Sequence, residues 1–186
     1  MWYQIKAYLK FILKSTNQHG VHSPFVYNLV TNCFYDTTNY DAYKQLSDYR
    51  KKFLKNKTKI IVSDLGAGSN VTKQRERFIS EIAKNAGSSI KNTQLLYRLI
   101  ACFNPKTILE LGTSLGIATH AMHLGNPKAH ITTIEGCPNI SEFTKANFKK
   151  KQLKNTDFIN GNFNDEIEKL NSNNYDLIFF DGNHTK

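Results

Sequence analysis

The sequence predicts an α/β fold: a doubly wound parallel sheet with helices on both faces, preceded by a helical N-terminal extension. Three observations predict it. Apolar runs at 107–111, 130–134, 157–159 and 175–180 recur with helix-length segments between them, the pattern of successive βαβ units. A glycine-bearing turn, Gly112 to Gly116, joins the first run to a helical pattern. Upstream, most of residues 1–58 show the 3.6-residue spacing of amphipathic helices. The chain therefore divides into a helical extension, 1–58, and an α/β domain, 59–186, with right-handed crossovers expected between the parallel strands.

Composition narrows the class. The 186 residues are 40% hydrophobic and 22% charged, enough apolar material for a packed core without disulfides or structural metal. Cys33, Cys102 and Cys137 are widely spaced and form no CxxC pair, which fits a reducing compartment better than a disulfide scaffold. No apolar run reaches transmembrane length, and the N-terminus lacks the apolar core and cleavage site of a signal peptide. A cytoplasmic protein is the expectation. The formal charge of +10 permits contact with nucleic acid or an anionic surface without dictating the fold.

Taken in order, residues 2–14 place Ile5, Leu9, Ile12 and Leu13 at helical spacing, with Lys6, Lys10 and Lys14 on another face. Such a helix suits packing on its own domain, and a membrane surface is the alternative. Ser23-Pro24 reads as an N-cap and first turn, opening a helix expected to bury Phe25 and Leu29. Residues 32–40 read as turns, and 41–54 as a helix burying Leu46, Tyr49 and Phe53. A dense positive run follows at 50–59. Ile60 to Val62 is a short strand candidate, 71–86 a helix burying Phe78, Ile79 and Ile82, and 91–103 a helix burying Leu95, Leu96, Leu99 and Ile100. Pro105 closes it. Helices are then expected at about 116–124, 138–151 and 163–170, between the four strand candidates.

The chemistry gathers at the carboxyl ends of those strands, where parallel sheets bind ligands. Gly112 permits a sharp turn and close backbone approach. The loop is Gly-x-x-x-Gly, which lacks the middle glycine of a dinucleotide fingerprint and the Lys-Ser/Thr of a phosphate loop. Glu110, just before it, suits a cationic or hydroxyl-bearing ligand. Glu135 ends the next strand 25 residues later, the spacing at which an acid accepts ribose hydroxyls. Asn160-Gly161-Asn162 and Asp181-Gly182-Asn183-His184 follow the third and fourth strands.

With these residues in place, the chain resembles the class I S-adenosylmethionine-dependent methyltransferases, and more closely the catechol- and caffeoyl-coenzyme-A-like O-methyltransferase group with its bacterial relatives. Glu110-Leu111-Gly112-Thr113-Ser114-Leu115-Gly116 is similar to their first motif. Glu135-Gly136 matches the ribose-binding acid, and Asn162 falls where many members place an adenine-contacting Asp. Lys91 to Leu96 is similar to a helix that contributes to the cofactor site in that group. His19-Gly20-Val21-His22-Ser23-Pro24-Phe25 and Asp64-Leu65-Gly66-Ala67-Gly68-Ser69 extend the resemblance across nearly the whole chain. It implies a Rossmann-like methyltransferase sheet, here ending after the fourth of seven strands, so that this chain is expected to be a fragment whose catalytic competence is in doubt. It implies S-adenosyl-L-methionine as cofactor, held by Glu110, Gly112, Thr113, Ser114, Gly116, Glu135, Gly136, Asn162 and Asp181. The implied reaction is methyl transfer to a small-molecule acceptor, through oxygen rather than nitrogen.

Three readings of the last loop stay open. Asp181 is a ligand for magnesium (Mg2+), as in the metal-dependent members, or His184 is a general base, or the turn is structural. One carboxylate falls short of the six ligands of a hard-cation site. The Asp64-to-Ser69 turn has no acid-terminated strand after it and reads as structural, at the rim of the cofactor pocket. His19 and His22 lack the carboxylate or Cys neighbours of a zinc site, so packing, caps or a substrate pocket account for them. His120, His123 and His130 read as packing or exposed residues, and Cys137 as a pocket wall. The lysines at 145–154, like the run at 50–59, read as solvated faces, with RNA contact as the alternative. Rival functions are RNA methylation and a non-catalytic cofactor-binding module; a homodimer is also open.

Overall fold

The computed structural model describes residues 2–15, 20, 22–63, 76–151, 153–170 and 174–182. It divides into two compact units, Met1–Thr38 and Asn39–Lys186.

The first unit contains α1 (Trp2–Lys14), α2 (Pro24–Leu29) and a π-helical turn, Val30–Phe34. The Ser23 hydroxyl accepts from the Val26 N–H at 3.4 Å, with Pro24 in the first turn, as Ser-Pro predicts. The helical path continues as the π turn where turns were expected from residue 32. The expected burial of Phe25 and Leu29 is not found: Phe25 is exposed and α2 buries nothing. Two short helices of six and thirteen residues offer little surface against which to bury an apolar side chain.

The second unit begins with α3 (Asp41–Leu54), which buries Leu46, Tyr49 and Phe53 at the predicted spacing. The helix thus packs within the α/β unit, while the sequence division near residue 58 assigns it to the extension. β1 (Lys59–Ile61) pairs antiparallel with β2 (Glu76–Phe78). This corrects the helix expected over 71–86. Helix α4 starts only at Ile79, because Phe78 is extended and its N–H is held by the Glu81 carboxylate at 3.1 Å. Pairing with a distant strand outweighs local helical preference here; residues 71–75 of that prediction lie outside the described residues. Helix α5 (Ile90–Phe103) follows, capped by the Ser89 hydroxyl and ended by left-handed Asn104. It buries Thr93, Leu96 and Ile100, whereas Leu95 and Leu99 are only half-buried.

The main sheet is β3 (Thr107–Leu111), β4 (His130–Glu135), β5 (Thr156–Asn160) and β6 (Leu177–Phe180), all parallel, in the order β5-β4-β3-β6. Between them run α6 (Ile117–Gly125), α7 (Pro138–Lys150) and α8 (Phe163–Lys169). Side chains alternate across the sheet. Ile108 and Ile131 face one core with α3, α5 and α6 residues such as Leu46, Ile100 and Met122. Leu109, Leu111 and Ile134 face the other, with Phe163 and Ile167 of α8. A third cluster joins Tyr49 and Phe53 of α3 to Ile79, Leu115 and Phe148. β4 and β5 are added on one side of β3 and β6 on the other, and this reversal of strand order makes the carboxyl ends of β3 and β6 the topological switch point.

Candidate functional site

The loop after β3 is built by its two neighbours. The Gly112 N–H donates to the Ile134 carbonyl at 2.9 Å, and the Asp181 N–H to the Leu111 carbonyl at 2.9 Å. Gly112 has φ +105°, and a Cβ there would lie 2.7 Å from the Asp181 carbonyl and Gly182 Cα. Glycine is therefore required because the loop backbone crosses the backbone just after β6, at the switch point. Gly116, left-handed at φ +69°, opens α6; a Cβ there would meet Phe148 at 2.6 Å and Thr144 at 2.8 Å. Loop and α7 are locked together, since the Thr144 hydroxyl donates to the Ser114 carbonyl at 2.7 Å.

Glu110 lies beneath this loop, fully buried. Its Oε2 accepts from the hydroxyls of Thr119 and Thr133, each at 2.6 Å, and Thr133 is bonded in turn to Thr113. Oε1 is buried with no hydrogen-bond partner among the described residues. Burial pushes the carboxyl up to about 8; the two hydroxyls oppose the shift, and the charges of Asp181 and Glu135 add to it. Glu110 thus orders the loop from behind through threonines on β4 and α6.

Glu135 stands at the end of β4, half-buried. Its Oε2 accepts from the Ser114 N–H at 2.8 Å and its Oε1 from the Cys137 N–H at 2.9 Å. One carboxylate thereby holds the glycine loop and the start of α7, which begins with Pro138. The next loop is tied in as well: the Asn160 amide donates to the Glu135 and Gly136 carbonyls at 2.7 and 3.3 Å. Asn162 caps α8, its Oδ1 accepting from the Asn164 N–H at 3.0 Å. Asp181 accepts from the Ser88 hydroxyl at 2.8 Å, and Arg50 of α3 steadies that segment through the Ser88 and Ala83 carbonyls at 3.1 and 3.2 Å.

The structure therefore brings Gly112 to Gly116, Glu135, Gly136, Asn162 and Asp181 to one sheet edge, with Glu110 behind it. His19, His184 and the Asp64-to-Ser69 loop lie outside the described residues. Ser63, which leads into that loop, donates its N–H to Cys137 Sγ at 3.3 Å, beside Glu135. His120 is buried against Tyr49 at 4.6 Å between rings, and burial lowers its pKa to about 3. It is a core residue. His22 lies in the first unit and is exposed. Among the described residues no group of three or more His, Cys, Asp and Glu is placed to hold a metal. Sequence reasoning missed Ser88, Thr119 and Thr133. Only the polar pair Thr132-Thr133 inside an otherwise apolar strand hinted at the buried network.

This edge and sheet order define the class I methyltransferase fold. Residues 103–184 match a family model described as a methyltransferase domain. Among similar solved structures, the SAH-bound methyltransferase PaMTH1 of Podospora anserina is 19% identical, over 90% of this chain and 61% of that one, at a TM-score of 0.56. The O-methyltransferase TomG of Streptomyces achromogenes, involved in tomaymycin synthesis and solved with SAM, is 14% identical over 82% of this chain and 59% of that one, at 0.52. The cofactor-bound Rv0187 from MTB is 17% identical over 81% and 58%, at 0.50. The chain spans about three fifths of the length of the structures it resembles. No described helix is long and apolar enough to cross a membrane.

Proposed function

We propose that the chain binds S-adenosylmethionine at the carboxyl edge of β3, β4 and β6, as part of a methyltransferase that acts on an oxygen of a small molecule. The observation that carries this reading is Glu135. It is a half-buried carboxylate at the ligand-binding edge, aligned by one backbone N–H on each oxygen. A carboxylate accepts hydrogen bonds on both oxygens, the chemistry that two vicinal ribose hydroxyls need. The glycine loop, Gly112 to Ser114, would hold the methionine part. Asn162 would approach the adenine, with a neutral amide in place of a carboxylate.

The cofactor supplies a methyl carbon activated by its sulfonium. The protein's part is to hold an acceptor oxygen close to that carbon. Asp181, aligned by the Ser88 hydroxyl, is the group proposed to receive the acceptor's proton.

Calorimetry with S-adenosylmethionine and S-adenosylhomocysteine tests the reading on this chain and on Glu135→Ala and Glu135→Gln. Losing charge-assisted hydrogen bonds costs about 1.5–3 kcal/mol, so each variant should bind at least tenfold more weakly. The amide carbonyl introduced by Glu135→Gln can still accept from a loop N–H, so the melting temperature of that variant separates lost binding from lost folding. No heat of binding from a folded wild-type chain would overturn the proposal. Positive binding leads to a screen of hydroxyl-bearing acceptors with and without magnesium.

A further inference from the structure

The two lysine-rich runs are far apart in sequence and meet in space. Residues 50–59 carry six Lys and Arg, residues 145–154 carry five, and neither run contains Asp or Glu. Lys52 at the end of α3 donates to Asn147 of α7 at 2.8 Å. The Lys151 ammonium lies 5.0 Å from the Tyr49 ring centroid. The Lys52 ammonium is pushed below its usual range, by desolvation first and then by the charges of Lys151 and Lys150. Asp48 pairs with Lys44, outside both runs, at 2.8 Å, and Glu76 with Lys59, at the far end of the first run, at 3.3 Å. Lys51, Lys55, Lys149, Lys150 and Lys151 are exposed, with no carboxylate ion pair among the described residues.

Helix dipoles account for part of this. Lys51 and Lys52 lie in the last turn of α3, and Lys149 and Lys150 in the last turn of α7, where carbonyl ends favour cations. That effect places each lysine on its own helix. It does not explain why two cationic ends are packed side by side, where like charges repel.

We infer that this α3–α7 face binds nucleic acid through its phosphate backbone. A polyanion supplies the missing counter-charge to both helix ends at once. None of the large exposed apolar side chains falls within either run, so the face offers no stacking platform for bases and no wedge for insertion into a lipid surface. Recognition is accordingly independent of base sequence. The same helices shape the glycine loop: Tyr49 of α3 donates to the Leu115 carbonyl at 3.3 Å, and Thr144 of α7 to the Ser114 carbonyl. The inference stands without the cofactor reading.

The test is fluorescence anisotropy of the full chain with two labelled single-stranded RNAs of unrelated sequence, titrated at several salt concentrations. The two RNAs should bind with affinities within about threefold of each other. The logarithm of the binding constant should fall against that of salt with a slope of about −3, the value for about four phosphate contacts to a single strand. The double variant Lys51→Glu/Lys150→Glu should bind at least tenfold more weakly. Lys6→Glu/Lys10→Glu on α1, which changes the net charge equally, should change affinity less than threefold. A slope near zero, or equal losses in both double variants, would overturn the inference. So would binding to phosphatidylserine vesicles, lost in the Lys51/Lys150 variant, when neither RNA binds.

Discussion

Glu110 makes the α/β unit's stability depend on pH in a direction opposite to that of most carboxylates. Its carboxyl is fully buried, accepts two threonine hydroxyls and is pushed up to about 8 from 4.5. Between those values the native chain holds a proton that the unfolded chain has released. Stability contributed by this group is therefore complete at acid pH and is lost as pH rises toward and through 8. His120, lowered to about 3 from 6.5, acts with the opposite sign. The unfolded chain binds the extra proton there, so stability rises with pH up to about 6.5 and then levels off. His123 is lowered by burial too and acts the same way. The range from pH 7 to 8.5 therefore isolates Glu110, whose contribution should fall by about 1–1.5 kcal/mol across it. Glu110→Gln retains a carbonyl to accept from Thr119 and Thr133 and removes the titration. Urea unfolding followed by far-UV circular dichroism, which reads the helices and strands of the α/β unit directly, measures both proteins. Wild-type stability should decline across the range relative to the variant. Parallel pH profiles for the two proteins would refute a buried, protonated Glu110.

Gly112→Ala should destabilise the unit by at least about 2 kcal/mol in the same assay, since it combines an unfavourable φ with a Cβ 2.7 Å from the backbone of Asp181 and Gly182. Asp157→Asn should shift stability by less than about 0.5 kcal/mol, because its contact with His130, 2.9 Å long, is between side chains 67% and 49% exposed.

The alternation of apolar strands and helices was legible because β3 and β4 are buried on both faces, so that each reads as a mostly apolar or β-branched segment between turn signals. Glu135 and the glycine loop were legible for a related reason. Backbone turns and a strand-terminal acid are local requirements, written in consecutive residues. Leu46, Tyr49 and Phe53 announced the buried stripe of α3 through spacing alone. β2 was not legible: Glu76-Arg77-Phe78 becomes a strand through pairing with Lys59 to Ile61, and no local signal names that partner. Nor was the role of Gly112 legible, since the group that excludes a side chain there belongs to Asp181 and Gly182.

By itself, then, the sequence determined the succession of strands and helices from β3 onward and the residues that reach the carboxyl edge, because periodicity and turn chemistry act over a few residues. Tertiary structure alone decided what those residues touch. It put Thr119 and Thr133 on Glu110, Ser88 on Asp181, and the lysines of α7 beside those of α3. Hydrogen bonding, desolvation and charge depend on distances through space, and those distances are set only when strands and helices from separate parts of the chain pack together.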